Sequence, residues 1–166
     1  SAGQSSIMSC LVNLPSFCKI AFLTSSTAGS FSSTMENLSS NALYAARTVP
    51  VGTIIPELTD LIEVTKQSFF EGIKKAVPGN HINDISIAVQ SYVESHGYSV
   101  VRDLAGHGIG QNLHEAPDIF NFRQKKQGIK IEKNMTFAIE PMVNMGGYEV
   151  EWGEYGWTVY TADYSF

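Results

Sequence analysis

The chain has 166 residues, 43% of them hydrophobic and 16% charged, which is enough to bury one core and excludes a mainly disordered chain. A formal charge of −5 argues against a basic nucleic-acid-binding surface, and no apolar run reaches the length of a membrane span. Two cysteines, Cys10 and Cys18, are too few for a disulfide framework, and the start SAGQSSIMSC lacks the basic and apolar regions of a signal peptide.

Residues 1–40 carry twelve serines and two charged side chains, Lys19 and Glu36. They read as an atypical N-terminal segment, loosely structured or strand-forming; the absence of arginine counts against an organelle transit peptide. Charged residues become dense from Glu57 onward. No aspartate precedes Asp60 and no histidine precedes His81, so the usual metal-binding side chains are confined to the later part.

From Pro56 to Ala76, the residues Leu58, Leu61, Ile62, Thr65, Phe69 and Ile73 recur at helical spacing, with proline at the start and Pro78-Gly79 as the stop. A second helix is predicted over Asn83–His96 from Ile85, Val89, Tyr92 and Val93, with Gly97 suited to a left-handed cap. Tyr98–Arg102 reads as a strand, whereas Ala105–Gly110 is too glycine-rich for a regular element. Thr136–Glu140 alternates like a strand, and Tyr148–Trp152 pairs with Trp157–Thr161 around Gly153–Gly156.

Chemistry concentrates in two places. The block AGHGIGQNLHEAP (105–117) sets His107 and His114 seven apart, and its glycines allow close backbone approach. The block TFAIEP (136–141) ends a strand with Glu140, a carboxylate that needs a metal or a basic group if buried. Imidazole nitrogen with carboxylate oxygen is the donor mix of Mn, Fe, Co or Zn hydrolases. A loop histidine, a glutamate paired with an arginine and a core tryptophan at Trp157 account for the same residues without chemistry. Spacing alone leaves both readings open.

The string GHGIG-x-x-x-HE-x-P, then TFAIEPMVN and GWTVYTAD, resembles methionine aminopeptidase of the bacterial and organellar type I. The likeness continues upstream through YVESHGYSVVRDLAGHGIG (92–110), LIEVTKQSFFEGI (61–73) and YAARTVPVG (44–52), and so covers 41–166. It implies an α/β chain of the α+β type, with the pita-bread fold shared by aminopeptidases and creatinase. It also implies that 41–166 is a catalytic-domain portion truncated at both ends. By the same resemblance, His107 is a metal ligand. Glu140 is a metal ligand and the general base. His114 contacts the substrate and stabilises the tetrahedral intermediate. Trp157 lines the methionine side-chain pocket, and Leu113 stands where the family has an aromatic pocket residue.

The implied activity is removal of N-terminal methionine from peptides or nascent proteins by water activated on a divalent metal (Co, Mn, Fe or Zn). The expected partner is a peptide or nascent-chain N-terminus, with no nucleic acid and no membrane. An exposed sheet edge would allow self-association, and the setting is the cytoplasm, with an organelle as the alternative. The family uses two aspartates, one histidine and two glutamates as ligands. Here Tyr44 and Ser33 stand where the aspartates belong, and Phe166 precedes the strand of the last glutamate. His107 and Glu140 are the two ligands matched. The alternative function is a catalytically dead module that binds peptide or protein partners around His114 and Trp157.

Overall fold

Two amphipathic helices supply about half of the described core of the computed structural model, which describes residues 5–13, 19–27, 48, 53–154, 156 and 158–165. Helix α1 spans Pro56–Ile73, and Pro56 occupies a first-turn position where no N–H is required. Its buried stripe is Leu58, Leu61, Val64, Thr65, Ser68, Phe69 and Gly72. The helix ends three residues before the predicted Ala76. The chain there tightens into i→i+3 bonds, Lys75 N to Gly72 O and Ala76 N to Ile73 O, ahead of Pro78.

Helix α2 spans Ile82–Ser95 and begins where His81 N donates to Asp84 Oδ2 at 2.7 Å. Gly97 follows it with φ +83°, the left-handed conformation expected of a glycine stop. The helices touch closely at Gly72, where a Cβ would come within 2.9 Å of Val89 Cγ2. Ile85, Val89 and Val93 are fully buried in the same cluster as Phe69 and Leu61.

Nine strands accompany the helices among the described residues: β1 Ser5–Asn13, β2 Lys19–Thr27, β3 Ser99–Val100, β4 Ala105–Gly108, β5 Glu115–Phe120, β6 Thr136–Ile139, β7 Val143–Asn144, β8 Val150–Trp152 and β9 Val159–Thr161. Five of them form one sheet in the order β1-β2-β6-β4-β5. Only the β2–β6 pair is parallel. Ile119, Phe137 and Ile139 of this sheet join the helical residues in one core. The strands β3 and β7 form a short antiparallel pair, as do β8 and β9.

The serine-rich start is therefore strand-forming at β1 and β2. The predicted Tyr98–Arg102 strand shrinks to Ser99–Val100, after which Val101 N bonds Met142 O. Ala105–Gly110 is a correction, because its first four residues are β4, the strand between β5 and β6. Its glycines serve close strand packing. A Cβ on Gly106 would overlap the Ala138 carbonyl, and one on Gly108 would lie 2.5 Å from the Ala116 carbonyl. Strand β5 was not predicted either. Its burial does not alternate cleanly, and Pro117 lies within it, which the edge of a sheet tolerates.

Candidate functional site

The register of the central strands assembles the site. His107 on β4 lies opposite Ala138 on β6, with an irregularity between His107 and Gly108 that turns the chain toward the following loop. Glu140 follows β6 directly and precedes Pro141. The result places His107 Nε2 3.5 Å from Glu140 Oε1, with side chains 13% and 9% exposed. These two sequence-predicted residues, thirty-three positions apart, thus meet where β4 lies beside the end of β6.

The protonation of the pair follows from its surroundings. His107 Nδ1 is 2.9 Å from the Gly108 carbonyl, which can only accept. Nδ1 therefore donates, and a neutral ring presents the lone pair of Nε2 to Glu140. Burial pushes the His107 pKa down, only partly opposed by that backbone bond. Desolvation pushes the Glu140 carboxyl up to about 8. The distance alone suggests an ion pair, but burial disfavours charge on both groups. By burial alone, a neutral imidazole faces a protonated carboxyl at neutral pH. Deprotonated, the same pair directs a nitrogen and an oxygen lone pair at one point, which suits a cation.

His114 joins them from the loop after β4. Its ring centroid lies 3.9 Å from that of His107, at 34° between planes, and the residue is exposed. Glu115 holds this loop. Its Oε1 accepts from Asn112 N at 2.6 Å and from Asn112 Nδ2 at 3.3 Å, while Gly110 N donates to Asn112 O. A Cβ on Gly110 would overlap the Glu115 carboxylate.

Leu113, predicted to line a pocket, is 43% exposed on the same loop. Trp157 lies outside the described residues, as do Ser33, Tyr44 and Tyr155. Among the described residues, no group of three or more His, Cys, Asp or Glu is placed to hold a metal ion. His107 and Glu140 offer one nitrogen and one oxygen donor.

Two further residues support the site: Gly106, one of the glycines the sequence marks for close backbone approach, and Asn121, which carries no signal there. Gly106 allows β4 its close approach to β6, and its role needed the strand register to become visible. Asn121, just beyond β5, is completely buried, and its Nδ2 donates to the Glu140 carbonyl at 2.6 Å. No spacing or motif marks an asparagine for that task.

Comparison with known proteins gives this geometry a context. The profile of metallopeptidase family M24 matches residues 40–160. The chain is 53% identical over 119 residues to methionine aminopeptidase of Clostridium perfringens, covering 72% of this chain and 48% of that protein. It is 44% identical over 119 residues to methionine aminopeptidase 1 of Bacillus subtilis, with the same shares covered. The methionine aminopeptidase structure from Rickettsia prowazekii superposes with a TM-score of 0.69 at 41% identity, over 72% of this chain and 49% of that one. The Thermotoga maritima enzyme gives 0.70 at 40% identity, over 75% and 52%. The matched part has the pita-bread fold of these proteins. The chain spans about half the length of the curated relatives it matches.

Proposed function

This chain belongs to metallopeptidase family M24, a membership that implies a divalent metal cofactor, and from it we propose a methionine aminopeptidase-like hydrolase that removes N-terminal methionine from peptides or nascent chains. The observation that carries the reading is the buried His107–Glu140 pair, lone pair facing carboxyl at 3.5 Å, inside the matched segment.

His107 Nε2 and Glu140 Oε1 would hold the divalent ion. When bound, such an ion supplies a nucleophilic water at neutral pH and polarises the scissile carbonyl. Glu140 would accept a proton from the attacking water and return it to the leaving amine. His114, exposed beside His107, donates to the developing oxyanion. Leu113 and Trp157 contact the methionine side chain, an unbranched thioether that suits apolar and aromatic neighbours. Mn, Co, Fe and Zn all accept this donor mix.

A cytoplasmic setting goes with this reading. No described helix is long and apolar enough to cross a membrane. Self-association through the edge strand β1 or β5 is a further part of the proposal, and sedimentation over a range of protein concentrations reads it.

The test is selectivity. The full chain is incubated with Mn²⁺ or Co²⁺ and either Met-Ala-Ser or Leu-Ala-Ser, and the free amino acid is measured. Release of methionine well above leucine is the expected result. Equal release of both, or release of neither, contradicts the proposal.

A further inference from the structure

The main chain at Glu140 is held from two sides. Toward β4, Gly106 leaves room for the strand. A Cβ there would overlap the Ala138 carbonyl and sit 3.4 Å from Glu140 N. From beyond the end of β5, Asn121 reaches past the start of β4, and its Nδ2 donates to the Glu140 carbonyl at 2.6 Å. Asn121 has no exposed surface. Its Oδ1 is buried with no hydrogen-bond partner among the described residues. One half of this amide is thus used and the other half is left without a described partner, a poor arrangement for stability alone.

We infer that Asn121 is a positioning residue for Glu140. Its amide pins the carbonyl between Ile139 and Pro141, and so fixes where the Glu140 carboxylate stands relative to His107 Nε2.

The geometry limits what else could do this. Glu140 lies outside β6, so the regular ladder that places Ile139 against β2 ends one residue earlier. The next backbone restraint is the Met142 carbonyl, bonded to Val101 N. Between them, the Asn121 bond is the contact that fixes the carbonyl of the functional residue itself. A shift of about 0.5 Å or more in a constellation of this kind is enough to degrade it. The inference concerns the geometry of Glu140, and its expected effect on metal affinity rests on the function proposed above.

The test compares wild type with Asn121→Leu, which has similar bulk and no amide, and with Asn121→Ala, which removes the amide altogether. Two readouts are used: a crystal structure of each full chain, and Mn²⁺ titration by calorimetry with His107→Ala as the zero. In the variants the His107–Glu140 separation should change by more than about 0.5 Å, with the sheet retained. Mn²⁺ affinity should fall about tenfold or more. An unchanged separation overturns the inference, as does a lowered melting temperature with unaltered Mn²⁺ affinity, since that is a purely structural role. If wild type binds no Mn²⁺ that His107→Ala abolishes, the proposed metal site fails, while the crystallographic comparison still decides the role of Asn121. Should Asn121→Leu fail to fold, Asn121→Ala gives the same comparison.

Discussion

The Nε2 lone pair of His107 faces Oε1 of Glu140 at 3.5 Å, in a setting where burial disfavours the charged form of both groups. That relationship has a consequence for folding. A carboxyl whose pKa rises from 4.5 to about 8 on folding leaves stability intact below the unfolded value. Stability then falls as pH rises through the window between the two values, by roughly 1.4 kcal/mol per unit. The lowered pKa of His107 acts the other way, costing stability as pH falls below its ordinary value of 6.5. Glu140→Gln isolates the first effect. In the absence of metal, the variant should be more stable than wild type at pH 8–9 by on the order of a few kcal/mol. The difference should vanish toward pH 5. Denaturant melts at several pH values measure it, and parallel pH profiles for the two proteins would contradict the burial argument.

Gly106 sets the distance between β4 and β6. Since a Cβ would overlap the Ala138 carbonyl, which is main chain and cannot rotate away, Gly106→Ala must push the strands apart. We expect a loss of about 1–3 kcal/mol in denaturant melts. His107 moves with β4, so a wider His107–Glu140 gap should accompany it. A variant as stable as wild type would show that the sheet yields more easily than the contact implies.

Glu115 acts on the loop rather than on the core. Its bonds to Asn112 are solvent-exposed, so Glu115→Ala should change the melting temperature little. The same change frees the loop that presents His114. Under the proposed mechanism, turnover of Met-Ala-Ser should fall, by less than the roughly hundredfold or more lost when an oxyanion donor is removed outright. A large fall in melting temperature, or unchanged turnover, goes against this assignment.

How far the sequence discloses this site differs from element to element. The helices were legible because their apolar residues recur at a period that buries one stripe, and Gly97 caps α2 as expected. Strand β6 was legible by alternation, and β8 with β9 by alternation around a glycine turn. Strand β4 was not, because glycines that permit close strand packing look the same in sequence as glycines that permit loops. Only the register with Ala138 and Ala116 tells them apart. His107, His114 and Glu140 were singled out by residue type and resemblance, and the fold brings the three together. Leu113, singled out in the same way, stands on the surface. Asn121 escaped notice because its role depends on a contact across three strands, which no local pattern encodes.

The most direct measurement is release of methionine from Met-Ala-Ser by the full chain, titrated with Mn²⁺ or Co²⁺, for wild type and Glu140→Gln side by side. Turnover that rises with metal in wild type and is lost in the variant is the predicted result. Metal-dependent turnover that survives Glu140→Gln would contradict the assigned base. No turnover at any metal concentration, from a chain shown by circular dichroism to be folded, would contradict the hydrolase itself.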